Sequence, residues 1–219
     1  MRVKICCIAS VEEARLAIDA GAAALGLVSA MPSGPGPIDE AQIAEIAAAV
    51  PPPTETFLLT SQQRAEAIVR QQRRCRTSGL QLVDAVADED LKHLRATLPE
   101  VKLVQVIHVT GTGSVDEALA VAPLVDALLL DSGNPQLAVK QLGGTGRTHD
   151  WEHSRAIVDQ SPVPVWLAGG LNVGNVGAAI DAVRPHGIDL CSSVRSDGQL
   201  DAGKLAAFMA AVRALPRSP

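Results

Sequence analysis

The chain has 219 residues, 47% of them apolar, and a formal net charge of −5, enough apolar material for one large core. No break in composition divides it, so a single domain spanning 1–219 is expected, and the dispersed basic residues (densest from Arg70 to Arg76, the solvated face of a helix) exclude a nucleic-acid partner. No apolar run approaches the length of a membrane span, and Met1 leads straight into a strand-like segment, so a cytoplasmic protein with no membrane partner is expected.

In chain order, short runs rich in Val, Ile and Leu fall near 2–7, 23–28, 55–59, 79–83, 101–107, 125–130, 163–168 and 187–191. They lack polar alternation, as strands buried on both faces do, and helical patterns fill the intervals. Helix starts are marked by two capping boxes, Ser10 with Glu13 and Ser114 with Glu117, and by Asp39 and Asp150 at N-cap positions. In the first helix Val11, Ala14, Ile18 and Gly21 share one face while Glu12, Glu13, Arg15 and Asp19 take the other, which covers a sheet on one side. Eight alternations of strand and helix allow an open doubly wound sheet or a closed barrel; length, count and regularity favour a single α/β domain of the (β/α)8 TIM-barrel class.

A barrel gathers the loops after its strands on one face. Here these are 29–38, 131–149, 169–171 and 192–200, long or rich in glycine and polar residues, and they mark the active face. Lys4 and Cys6 share a strand face, and Asp131 ends the sixth strand on the opposite wall, so a thiol and a carboxyl meet at one lumen as a candidate acid/base pair. For Cys6 alone, a small buried hydrophobe is the better reading, since a thiol is a base only as its thiolate and needs a neighbour such as Lys4 to lower its pKa.

L-A-G-G-L-N (167–172) and C-S-S-V-R (191–195) follow the seventh and eighth strands, the corner where barrels bind phosphate through free N–H groups and a helix N-terminus. Gly169, Gly170, Ser192, Ser193 and Arg195 are therefore expected phosphate or substrate contacts. G-G-T-G-R-T-H-D-W (143–151) lacks the Lys-Ser/Thr ending of a P-loop, which disfavours nucleotide binding; a loop that closes over substrate fits better, with Gly144 among its contacts.

The cysteines at 6, 7, 75 and 191 contain no C-x-x-C repeat, and adjacent Cys6 and Cys7 should point to opposite strand faces. Neither a disulfide framework nor a zinc site is expected. His149 and His153 read as surface histidines, so no metal is assigned. Phe57, Trp151, Trp166 and Phe208 are scattered, and an aromatic substrate would find few rings to stack on.

Taken together, V-K-I-C at the start, A-G-A-x-A-L-G-L-V (20–28), L-Q-L (80–82), L-L-L-D (128–131), G-G-T-G-x-x-x-D-W (143–151), L-A-G-G-L-N-x-x-N-V (167–176) and D-L-C-S-S-V (189–194) resemble the phosphoribosylanthranilate isomerase family of tryptophan biosynthesis. The resemblance covers nearly the whole chain. It implies a cofactor-free Amadori rearrangement of a small phosphorylated aminosugar, in a monomer or a homodimer. It also implies Asp131 as general acid, Cys6 as general base, and Lys4, Gly144, Gly169, Gly170, Ser192, Ser193 and Arg195 around the substrate.

Four departures from that family pattern carry expectations of their own. Cys7 and Ser193 stand where the family has glycine, and Val83 where it has histidine. The loop M-P-S-G-P-G-P-I (31–38) lacks the arginine that pairs with the anthranilate carboxylate, a loss on the order of 1.5–3 kcal/mol unless Arg147 or Arg195 replaces it. The arginine-free loop keeps open a paralogous isomerase of another phosphorylated aminosugar, or a phosphate-ligand-binding protein.

Overall fold

The computed structural model describes residues 1–133, 140, 142 and 148–215. Eight parallel strands close into a barrel in sequence order: β1 (Arg2–Ile5), β2 (Ala24–Val28), β3 (Glu55–Thr60), β4 (Gly79–Leu82), β5 (Lys102–His108), β6 (Ala127–Asp131), β7 (Val165–Leu167) and β8 (Gly187–Leu190). The helices are α1 (Val11–Asp19), α2 (Glu40–Ala49), α3 (Ala65–Cys75), α4 (Asp88–Thr97), α5 (Gly113–Val121), α6 (Trp151–Gln160), α7 (Val176–Val183) and α8 (Ala202–Ala214). β1 pairs with β8 in register Ile5↔Leu190, which closes the seam.

The strands match the sequence expectation to within about two residues, and the differences have causes. β1 stops at Ile5 rather than residue 7, because Cys7 turns to φ +63° and leaves the sheet. β7 starts at Val165, just after Pro164, which has no N–H for a ladder.

Alternation along each strand divides the interior into two clusters. One side chain of each pair, such as Ile5, Leu25, Leu58, Leu80, Leu128 or Ile188, points outward under the helices and forms the larger core. The next points into the lumen, where Cys6, Val28, Phe57, Leu59, Val104, Val106, Leu129 and Trp166 pack together. Both faces of nearly every strand position are buried, which is why the strand runs lack regular polar alternation.

Ser10, Asp39 and Asp150 cap α1, α2 and α6 through their side-chain oxygens as expected. Ser114 does not cap α5: its hydroxyl accepts from the Thr110 N–H and donates to the His108 carbonyl, pinning the loop to the end of β5. After β8 a short hairpin, β9 (Arg195–Ser196) with β10 (Gln199–Leu200), turns through Asp197 and Gly198 at φ +50° and +81°. Positive φ at both central residues gives a turn whose twist matches its strands, and Asp-Gly is the sequence that adopts it. None of the helices among the described residues is long and apolar enough to cross a membrane.

Candidate active site

The lumen opens at the carboxyl ends of the strands into a cavity enclosing about 750 Å³, part of it open to solvent. Cys6 and Asp131 both line it, each only 8% exposed, so the cavity is the route by which a small molecule reaches them. Cys6 follows β1, its N–H donating to Leu190 O at 2.9 Å. Asp131 ends β6, and its Oδ1 accepts from the Ser132 N–H at 2.7 Å.

Beneath them lies a buried ion pair, Lys4 Nζ donating to Asp189 Oδ2 at 2.9 Å. Burial works against the Lys4 ammonium, but Asp189 and then Cys6 outweigh it and raise its pKa; the lysine stays a cation under the floor. Lys4 is buried and not among the residues that line the cavity, and it meets the site through its pair with the cavity-lining Asp189. Space for this arrangement comes from Gly26 on β2. A Cβ there would lie 2.9 Å from Cys6 Sγ and 3.0 Å from Lys4 Nζ, so glycine is what lets the two functional groups lie across the strand.

Two consecutive glycines form the turn after β7. Gly169 and Gly170 line the cavity with φ of +88° and +62°, a left-handed pair that other residues adopt at a cost. The side-chain amides of Asn172 and Asn175 both donate to Gly170 O, and Asn175 Oδ1 accepts from the Asn172 N–H, which locks this turn ahead of α7. Ser192 lines the cavity while Ser193 does not; its hydroxyl is shielded and unpartnered. Ser193 has a negative φ, so its backbone does not need glycine.

Arg195 is committed elsewhere. Its guanidinium, in a side chain only 7% exposed, donates to both carboxylate oxygens of Glu13 and to the Cys6, Cys7 and Gly198 carbonyls. It is not among the residues that line the cavity, and through the Cys6 and Cys7 carbonyls it holds the backbone that carries Cys6. Glu13 is the hub, also accepting from the Ala9 and Leu200 N–H groups. Burial pushes its pKa up, but the bonds from Arg195, Leu200 and Ala9 more than offset this and the carboxyl is held below the usual range.

Sequence reasoning missed several lining residues. Asp189 lines the cavity with Oδ1 unpartnered, and its signal was a charge in the middle of an otherwise apolar strand, G-I-D-L. Gln81 lines it too, its Oε1 buried without a partner. Cys6 and Cys7 do not face opposite ways; both line the cavity, because the positive φ of Cys7 interrupts the alternation that the expectation assumed. Lys140 was overlooked among the basic residues of the active face. It pairs with Asp84, and its carbonyl accepts from the Ser33 hydroxyl at 2.6 Å, joining the 31–38 and 131–149 loops across the mouth.

Gly144 and Arg147, with most of the expected closing loop, lie outside the described residues. His149 is half-buried with Nε2 2.6 Å from Ser154 Oγ. Burial lowers its pKa, against an opposing pull from Asp131. Among the described residues no group of three or more His, Cys, Asp or Glu is arranged to hold a metal.

Residues 3–211 match the family model described as N-(5'-phosphoribosyl)anthranilate (PRA) isomerase. A Methanocella arvoryzae protein named N-(5'-phosphoribosyl)anthranilate isomerase is 34% identical over 196 residues, 90% of each chain. One of the same name from Halorubrum lacusprofundi is 36% identical over 211 residues, 95% of each chain. The crystal structure of phosphoribosyl anthranilate isomerase from Thermotoga maritima superposes with a TM-score of 0.84 at 26% identity, covering 98% of this chain and 100% of that one.

Proposed function

This chain belongs to the N-(5'-phosphoribosyl)anthranilate isomerase family, and from that premise we propose which of its residues carry the reaction. The activity is the isomerisation of N-(5-phosphoribosyl)anthranilate to 1-(o-carboxyphenylamino)-1-deoxyribulose 5-phosphate in tryptophan biosynthesis. C1 of the sugar is reduced as C2 is oxidised within one molecule, so the chemistry requires no external electron carrier.

Asp131 acts as general acid and protonates the ribose ring oxygen, so that the C1–O bond breaks and the aminal opens to a protonated Schiff base. Cys6 acts as general base and removes the proton from C2. The electron pair moves toward the imine nitrogen to give an enolamine, which tautomerises to the ketone. The observation carrying this assignment is that Cys6 after β1 and Asp131 at the end of β6 line one cavity, so a sugar ring lying between them can be protonated from one side and deprotonated from the other.

The phosphate sits at Gly169, Gly170 and Ser192, with Ser193 behind them. Asp189 and Lys4 fix the floor, and Gly144 belongs to the covering loop. For the carboxylate of the aglycone we assign Lys140: its backbone is tied to the cavity-lining Ser33, and its ammonium, paired with Asp84 next to the cavity-lining Val83, exchanges part of that pairing for the substrate. Residues 1–219 act as one barrel domain.

Steady-state turnover of phosphoribosylanthranilate by the wild type, Cys6→Ala and Asp131→Asn tests the assignment. Each variant should lose about 10²- to 10⁴-fold in kcat with the fold intact. Near-wild-type turnover in either would remove that residue from its role. Growth of an isomerase-null cell without tryptophan, restored by this gene, checks the activity independently.

A further inference from the structure

Cys7 and Cys191 have no part in the proton transfers, yet their sulfurs lie 2.7 Å apart. They follow the two strands of the barrel seam, where Ile5 is in register with Leu190 and the Cys6 N–H donates to Leu190 O. Neighbouring strands run about 4.8 Å apart, inside the Cα separation of about 4.4–6.8 Å that a disulfide spans. Gly36 leaves room for Cys7: a Cβ at Gly36 would lie 2.7 Å from Cys7 Cβ. Both thiols line the cavity, so a small solute that enters it meets them.

The two sulfurs are also chemically unequal. The hydrogen bond with Cys7 pulls the Cys191 thiol below its ordinary range, and the Arg195 guanidinium adds to this. Contact with Cys191, then with Cys6, and burial hold the Cys7 thiol well above it. Once the pair loses a proton, a thiolate at Cys191 is hydrogen-bonded by the Cys7 S–H 2.7 Å away, which sets an attacking beside a resolving cysteine.

We propose that Cys7 and Cys191 form a redox-modification site, which a hydroperoxide entering the cavity converts to a disulfide tying the Cys6 loop to the Ser192–Ser193 turn. The Cys191 thiolate attacks the terminal peroxide oxygen; the O–O bond breaks, and the alkoxide or hydroxide takes up a proton and leaves as alcohol or water. The Cys7 sulfur then attacks the Cys191 sulfenic acid, the S–O bond breaks, and the Cys7 proton departs with the hydroxide as water. Two thiols and one hydroperoxide give one disulfide, one alcohol or water, and one further water. The link fixes the base against the phosphate corner, and turnover falls. This effect on turnover rests on the isomerase reading, whereas the disulfide does not.

The full chain is treated with hydrogen peroxide, quenched with an alkylating agent and mapped by non-reducing peptide mass spectrometry, for the wild type and for Cys6→Ala. The expected result in both is a peptide containing Cys7 joined to one containing Cys191, released by dithiothreitol. In the wild type kcat/KM should fall about tenfold or more in step with the linked fraction and return on reduction. Alkylatable thiols at 7 and 191 after treatment of Cys6→Ala, or a link that needs Cys6, would overturn the site. A fully linked protein with undiminished turnover would overturn its coupling to catalysis. If the untreated protein shows no turnover the isomerase reading fails, and the peptide map still decides the disulfide.

Discussion

The shell between strands and helices and the lumen inside the barrel are both buried, but they are built on opposite rules. The shell holds aliphatic side chains such as Leu25, Leu80 and Leu128, and its only task is to exclude water. The lumen carries the Lys4–Asp189 pair, Gln81 and Asp131 among its apolar residues, with oxygens of Asp189 and Gln81 unpartnered. Unpaired polar atoms in a buried wall cost stability, and here they face the cavity where a polar substrate would meet them. The difference teaches that one fold can keep its stability and its chemistry on alternate residues of the same strands.

The sharpest test of that division is the largest expected effect. Cys6→Ala and Asp131→Asn should each remove about two to four decades of kcat while shifting the thermal midpoint little, since neither side chain fills the shell. Next comes the floor. Asp189→Asn strands Lys4 as an unpaired buried cation and should cost about 3–5 kcal/mol in denaturant titration, whereas Lys4→Met with Asp189→Leu should recover most of it and still lack activity. The shell should behave in reverse: Leu80→Ala costs about 2–5 kcal/mol and leaves kcat near the wild-type value below its melting point. At the mouth, Lys140→Met should raise KM by roughly ten- to a hundredfold with kcat nearly unchanged, the value of one charge-assisted bond.

The smallest effect is the pH dependence that Glu13 contributes. Its carboxyl titrates below its unfolded value, so the stability it contributes is complete above the ordinary glutamate range and is lost as pH falls through the depressed folded pKa. Glu13→Gln should flatten that acid-side loss, read as a shallower fall in urea midpoint below about pH 4.5.

Local signals make most of the barrel legible in the sequence. Apolar runs located the strands, and Ser10, Asp39 and Asp150 located three helix starts, because strand pairing and capping are read from neighbours in sequence. What stayed hidden depends on residues far apart. Arg195 looked like a free cation at the phosphate corner, and only its contact with Glu13, 182 residues away, shows it to be a structural clamp. Cys7 was placed by the period-2 rule, which holds only while the backbone stays extended, and its φ of +63° ends that condition. Cys6 and Asp131 were found together because the fold class alone brings strand ends to one rim.

The seam between β1 and β8 has a consequence for synthesis on the ribosome. Lys4 meets Asp189 across 185 residues and Arg195 meets Glu13 across 182, so the first strand of the barrel waits for the last before Cys6 is held in place. Contacts of such long sequence separation are slow to close, and a nascent chain cannot make them until its end has been translated. Such a chain, however well its early strands and helices have formed, has no half-active stage: isomerase activity arrives in one step, with the closing turn of the ring.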